Sequence, residues 1–445
     1  MSSYRIFGVF PLLVVLLAQD AGAWSLWPFG KEQPPPLSLP TTTEAAGAKS
    51  GLQPTKKTKE DTVSIERLEM LAYKQKNPDA QLALGRMYYE GVGGVEQDFE
   101  KAGGLFHDAS VGGSERAVYN YGLCLTLGRG VPKDEEKGLE WFIRAAEMGV
   151  PQAQQQAGLA LEARKQYDKA FPFFRAVAET GELWAIHKTA TYLLEGLGTE
   201  KNPVQAVQYL EVGARRGDPR CQVRLADCYE QGLGVPTDYE EMFSWLYRAA
   251  HSDDPEAQAK VGCCFLRGQG VARNTATAFK WFERSANAGY APGQVYMGNC
   301  YLQGAGVGQD LEKSVAWYRL AADQEDPIGE FSLGVAYELG RGVAGDPKEA
   351  LRWFKRAADR GYAPAQFNLG VMLEEGWGVP ADLVKALPWY RAAAKQGSPE
   401  ANLTLGRLYL KGEGVPLDRD QAKQYLTVAA EAGSDAAKDD LKTHF

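Results

Sequence analysis

The side chains best suited to metal binding or nucleophilic chemistry are four histidines and six cysteines. His107, His187, His251 and His444 are far apart in the chain, and no His-x-x-x-His or Glu-His pair has metal-ligand spacing. His187 falls in a slot filled elsewhere by Leu82, Val223, Val295, Phe331 and Phe367, which reads as a core position. Cys124, Cys228, Cys264 and Cys300 share one recurring slot with Met87, Ala160, Ala336 and Met372, the pattern of a buried column. Same-slot residues in stacked helices lie about 10 Å apart, beyond the ~7 Å Cα separation a disulfide spans. Cys221 and Cys228, seven apart on one helix, are separated by about 10.5 Å of helical rise. Buried free thiols sit uneasily with an oxidising destination. Gly-x-Gly-Val segments could cradle phosphate, but they lack the Lys-Ser/Thr of a P-loop and follow helices rather than strands. No nucleophile–base arrangement stands out among the carboxylates. The reading is therefore of a chain that is not an enzyme and carries no cofactor or metal. Asn402-Leu403-Thr404 is a glycosylation sequon, which makes Asn402 a candidate modification site.

The elements that position these residues come from an internal repeat. Ala365-Gln-Phe-Asn-Leu369-Gly370 recurs as Ala401-Asn-Leu-Thr-Leu405-Gly406, 36 residues on. Stepping back, the first slot is Gly329, Gly293, Ala257, Cys221, Ala185, Ala153, Ala117 and Ala80. Two steps break the period: 80 to 117 is 37, with an extra glycine in Gly91-Val-Gly93-Gly94, and 153 to 185 is 32, where the glycine loop is missing. Each first segment has apolar residues at helical spacing and ends in a Gly-x-Gly-Val turn, as in Gly340-Arg-Gly342-Val343. An aromatic pair follows, such as Trp281-Phe282, Trp317-Tyr318, Trp353-Phe354 or Trp389-Tyr390, and then an alanine pair such as Ala321-Ala322. Asp310, Asp346, Asp382 and Asp418 are placed to cap the second helix. Asp254-Pro255, Asp326-Pro327 and Ser398-Pro399 open the first. Gly370, inside a helix, suits a place where another helix approaches closely. Lys165, Asp253 and Glu325 stand where a unit usually has a loop or a closing glycine. One unit cannot hide its apolar face alone, so stacked units must share a core.

The N-terminus reads differently. Ile6 to Ala18 is apolar, and Ala21-Gly22-Ala23 supplies small residues, the three-part pattern of a signal peptide cleaved after Ala23. That run is shorter than the roughly 20 residues a spanning helix needs, so no stable membrane insertion is expected. The sequence map is a signal peptide over 1–23, a Pro/Ser/Thr linker over 24–62, a capping helix over 63–79, the repeats over 80–435 and a truncated cap over 436–445. Trp24-Ser25 also fits, loosely, a bipartite plastid presequence.

The pattern Ala-x-x-x-Leu-Gly, Gly-x-Gly-Val, Asp-x-x-Lys-Ala, Trp-Tyr/Phe and Ala-Ala resembles the Sel1-like repeat, a relative of the tetratricopeptide repeat, and covers Ala80 to the C-terminus. Lys169-Ala170 and Lys385-Ala386 match its Lys-Ala element. The resemblance implies an all-α, right-handed superhelical α-solenoid of about ten two-helix repeats. It implies an adaptor or scaffold that binds other proteins, with protein quality control or degradation among the family's roles, and the signal-peptide pattern places it on a secretory route, in the endoplasmic-reticulum lumen, secreted, or in the periplasm if bacterial. The alternatives are a secreted or periplasmic hydrolase-like repeat protein, as proposed for Cys-rich relatives, and a plastid-imported scaffold. The chain carries 57 acidic against 49 basic residues with no basic block, which argues against nucleic acid.

Partner-binding candidates are the slots whose chemistry changes between units. Lys188, Arg224, Lys260, Tyr296, Asn368 and Thr404 occupy one slot, and Asp227, Asn299 and Arg407 lie three residues on. Offsets of three and four put these on one helical stripe, which by resemblance to tetratricopeptide proteins lines the concave face. Trp184 and Trp377 replace charged or polar residues at their slots and are candidate anchors. The expected partner-binding set is Trp184, Arg224, Lys260, Tyr296, Asn299, Asn368 and Trp377.

Overall fold

The computed structural model describes residues 65–445. The expected signal peptide, the whole expected linker and the first two residues of the expected capping helix lie outside these residues. The described chain is helical throughout, without a strand. It falls into two compact units, divided between Thr237 and Asp238.

In the first unit, residues 65–74 are helical, with a π-helical end over Met70–Lys74. Ala72 from this segment joins Ala80, Leu84 and Leu105 in a small core. Four helical hairpins follow: Pro78–Glu90 with Phe99–Val111, Glu115–Leu127 with Glu135–Glu147, Pro151–Ala163 with Tyr167–Glu179, and Leu183–Glu195 with Pro203–Arg215. The unit closes with Pro219–Gln231. The second unit starts with Tyr239–His251 and continues with five hairpins. These are Pro255–Arg267 with Thr275–Asn287, Ala291–Gln303 with Leu311–Asp323, Pro327–Leu339 with Pro347–Asp359, Ala363–Glu375 with Leu383–Lys395, and Pro399–Lys411 with Arg419–Glu431. Helix Asp435–His444 then packs Ala437 and Leu441 against Leu426 and Ala429. Within each unit, a first helix packs on its own second helix, and that second helix packs on the next first helix.

Local chemistry sets the ends of these helices. Asp310, Asp346, Asp382 and Asp418 accept backbone N–H groups of the first turn of the second helices. Asp254, Asp326 and Ser398 do the same for the first helices, just ahead of a proline that needs no donor partner. The first glycine of each loop adopts the left-handed conformation that closes the helix, as at Gly340 (φ 62°) and Gly376 (φ 79°). Lys165, Asp253 and Glu325 take up the same left-handed region without being glycine, at φ 59°, 58° and 65°.

The helical glycine has a specific cause. A Cβ on Gly334 would lie 2.8 Å from the Phe354 ring, and one on Gly370 would lie 2.5 Å from the Tyr390 ring. The same contact recurs at Gly85 with Phe106, Gly158 with Phe174 and Gly262 with Phe282. The second residue of the aromatic pair therefore rests directly on the first helix's backbone. Phe354 and Tyr390 are fully buried there, and each buried ring contributes about 1.5–3 kcal/mol. Where the glycine slot holds Ala190, the facing slot holds Leu210, which has no ring.

The second loop glycine sets the distance between hairpins. A Cβ on Gly378 would lie 2.8 Å from the Pro347 carbonyl oxygen, at the start of the preceding second helix. Gly130, Gly198, Gly234, Gly270, Gly306 and Gly342 abut the backbone at the same place in their own preceding second helices. Hairpin 151–179 has no such loop, and its Arg164 instead pairs with Glu136 at 2.8 Å.

Gly334→Ala should lower stability by about 1–3 kcal/mol through overpacking on Phe354, read as a fall in urea midpoint. Adding Phe354→Leu, which recreates the Ala190–Leu210 pairing, should recover part of that loss. A double variant no more stable than Gly334→Ala would exclude the ring as the cause.

Candidate protein-binding surface

The stripe on the first helices is built largely from contacts between neighbouring repeats. Lys188 Nζ lies 3.0 Å from a Glu162 carboxylate oxygen, and the Tyr192 hydroxyl donates to Glu162 at 2.9 Å. Arg224 pairs with Glu195 at 2.8 Å. Each bond links one first helix to the next. Arg407 similarly reaches Asp440 on the last helix at 2.7 Å.

The expected partner-binding residues divide accordingly. The Arg224 and Lys260 side chains are only 16% and 12% exposed, and Lys260 pairs with Glu256 one turn earlier at 3.0 Å. The Tyr296 ring stacks on Phe282 with centroids 4.7 Å apart, and burial pushes its phenol well above the usual range. It therefore stays a neutral hydroxyl. Asn299 accepts from the Tyr318 hydroxyl at 2.6 Å. Trp184 is half-buried and meets the Phe174 ring edge-on at 6.2 Å. These five are turned toward the protein. Asn368 is half-buried and makes no side-chain hydrogen bond among the described residues. Trp377 stands in its loop 47% exposed, anchored by its backbone N–H to the Met372 carbonyl at 2.9 Å. Of the expected set, Asn368 and Trp377 are the ones that offer side-chain surface. His187 is half-buried rather than a full core residue.

Asn402 belongs to a different system. It is buried, and its amide nitrogen, the atom a glycan would occupy, donates to the Ser398 carbonyl at 2.8 Å and the Ala394 carbonyl at 3.3 Å. A glycan on the folded chain would have to displace both bonds. The same slot in other repeats holds glutamine. Gln81, Gln154, Gln222, Gln258, Gln294 and Gln366 each donate a side-chain amide to Ala72, Ala146, Ala214, Ala250, Ala286 and Ala358. Each acceptor is a carbonyl in the last turn of the preceding helix, and those of Ala146, Ala214, Ala286 and Ala358 also accept a linker N–H, so the amide adds a second donor there. This column of amide clamps is missing from the sequence reading above. Its signal was present, because a polar residue directly follows the small residue that opens most repeats.

All six cysteines are buried as thiols. Burial pushes the Cys124, Cys228 and Cys300 thiols up to about 12, and raises Cys221 further. Among the described residues, no group of three or more His, Cys, Asp or Glu could hold a metal ion. None of their helices is long and apolar enough to cross a membrane.

These features define a helical-hairpin repeat protein. The Sel1 repeat family matches nine segments: 78–110, 116–150, 185–218, 219–254, 255–290, 291–326, 327–362, 363–398 and 399–434. The chain belongs to this family. The hairpin over 151–179, which lacks the glycine loop, lies outside the matched segments. A protective antigen of uropathogenic Escherichia coli with an SLR fold is 32% identical, with a TM-score of 0.56 over 87% of this chain and 84% of its own. A Sel1 repeat protein from Oxalobacter formigenes is 27% identical over 55% of this chain and 96% of its own, with a TM-score of 0.48. Chitin synthase regulatory factor 3 of Schizosaccharomyces pombe is 30% identical over 178 residues, and the match spans 16% of that protein's length. Sel1 repeat proteins generally mediate protein–protein interaction, and the family is typically non-enzymatic.

A thiol as suppressed as Cys124 has almost no thiolate at neutral pH. The folded chain at pH 8 should therefore resist a thiol reagent such as DTNB, and all six thiols should react once denatured. Rapid labelling of any one in the native state would contradict its burial.

Proposed function

We propose that this chain is a non-catalytic adaptor that gathers other proteins on a secretory route, with protein quality control or degradation as the setting. The observation that carries this reading is the contrast between two kinds of repeated slot. The core columns keep their chemistry from hairpin to hairpin, whereas the first-helix stripe changes from Lys188 to Tyr296 to Asn368 to Thr404. Within each unit, a stack of near-identical frames bearing changing side chains presents a surface that can read an extended partner. Trp377 and Asn368 form its accessible part in the second unit, where an exposed tryptophan supplies a large apolar anchor. The name of the S. pombe relative, a regulatory factor, is in keeping with a role exerted through other proteins. The secretory assignment rests on the N-terminal sequence pattern of residues 1–23.

The test is affinity purification of the tagged full-length protein from its native host, followed by mass spectrometry of partners and of the mature N-terminus. The reading predicts a start at Trp24 and stoichiometric protein partners. The double variant Asn368→Arg/Trp377→Ala should cut partner recovery about tenfold with unchanged helical content and urea midpoint. A start within residues 25–61 would indicate plastid import instead. Recovery of no partner under cross-linking would sink the adaptor role and leave the hydrolase alternative to an activity screen.

A further inference from the structure

One junction in the second unit departs from the amide-clamp rule. At the slot that holds Gln294 and Gln366 in the flanking repeats stands Glu330, and its side chain is fully buried. A carboxylate cannot donate to the carbonyl of Ala322, the acceptor expected eight residues earlier. Arg356 of the following helix supplies the missing donor, with its guanidinium 3.4 Å from that carbonyl. Arg356 Nε also lies 2.9 Å from Glu330 Oε1, and Arg360 Nε lies 3.2 Å from Glu330 Oε2. Arg360 reaches back further, to Glu325 at 3.0 Å, in the linker with left-handed backbone.

A second buried carboxylate completes the cluster. Asp326, only 6% exposed, caps the helix that carries Glu330 and accepts the Gly329 N–H at 2.7 Å. Asp326 and Glu330 are four residues apart, on one helical face. The groups around them are the Glu325 carboxylate from the linker, the Arg356 and Arg360 guanidiniums from the following helix and linker, and the half-buried Tyr290 and Tyr362 phenols from the flanking linkers. Glu325 and Glu330 thus share two guanidiniums, while the buried Asp326 has backbone N–H partners and the Glu330 carboxylate beside it. Like charges at this spacing repel, and burial penalises each charge.

We propose that the junction between hairpins 291–323 and 327–359 is an acid-tightened joint, in which the buried Asp326–Glu330 pair takes up a proton as the surroundings become mildly acidic. This regulation belongs to the stack itself and holds whatever the protein binds. Burial, reinforced by Glu330, raises the Asp326 carboxyl to about 6, and burial also raises Glu330 against the pull of its arginines. The exposed caps Asp310 and Asp382 move the opposite way, held low by the N–H and lysine partners they face. The sign follows from linkage. A carboxyl raised in the folded state adds stability below its unfolded value and loses it as pH rises through about 6. The joint is therefore firmer at pH 5 than at pH 7.5.

The repeats themselves supply conservative test variants. Asp326→Ser copies Ser398, which caps an equivalent helix, and Glu330→Gln copies Gln294 and Gln366. Amide hydrogen exchange of the full chain at pH 5 and 7.5, corrected for intrinsic rates, reads the opening of 327–339 against that of 363–375. For the unsubstituted chain the joint should open about tenfold less at pH 5 than at pH 7.5, relative to the reference helix. Asp326→Ser should abolish that ratio, and Glu330→Gln should shrink it. Equal pH dependence in the unsubstituted chain and Asp326→Ser would overturn the proposal, as would easier opening in acid. If Asp326→Ser fails to fold, the Asp326 carboxyl titration by carbon NMR decides: a midpoint near 6 supports the joint, and one near 4 refutes it.

Discussion

Most hairpins depend on the closeness of two surfaces that carry no side chain. The second helix lays a ring on the bare backbone of a helical glycine, and the loop lays another glycine on the first turn of the helix before. Neither contact tolerates an added Cβ at the present spacing. The first fixes how two helices of a hairpin meet, and the second fixes where the next hairpin sits. Glycine inside a helix costs about 1 kcal/mol relative to alanine, an expense offset by the buried ring it admits. The period of 36 residues then follows, because helices, loop and linker must all return to the same two contacts.

Much of this was legible in the sequence because it repeats. The helix starts at Asp310 or Asp326 and the left-handed turns at Gly340 rest on local backbone chemistry, which a residue type announces directly. Gly370 pointed to a close approach, although the ring that approaches, Tyr390, is identified by the fold. The amide clamps were visible as a column of polar residues but carried no local meaning, since the acceptor is a carbonyl on another helix. The stripe on the first helices also has a structural side that the sequence does not show. Variation from Lys188 to Arg224 reflects in part the partners Glu162 and Glu195 on the neighbouring repeat, and pairing across repeats leaves no mark at fixed sequence spacing.

Hairpin 151–179 shows how far the frame can vary. It lacks the loop and lies outside the recognised repeats, yet Gly158 still receives the Phe174 ring. There the ring-on-glycine contact survives without the loop contact, whereas hairpin 183–215 keeps the loop contact at Gly198 and sets Leu210 against Ala190, so each contact can be dispensed with singly. Surface slots free of both duties can change without disturbing the frame, and this freedom suits the adaptor role proposed above.

The most direct test of the spacer compares Gly342→Ala with Gly361→Ala. Both glycines have left-handed backbone, at φ 71° and 89°, so both variants bear a conformational cost, and that at Gly361 is not the smaller. A Cβ at Gly342 collides with the Leu311 carbonyl of the preceding hairpin, whereas one at Gly361 meets nothing within 4 Å. Contact-limited stacking predicts that Gly342→Ala lowers the urea midpoint clearly more than Gly361→Ala does. Equal losses would mean that backbone conformation alone selects the loop glycine, and that the hairpins are spaced by something else.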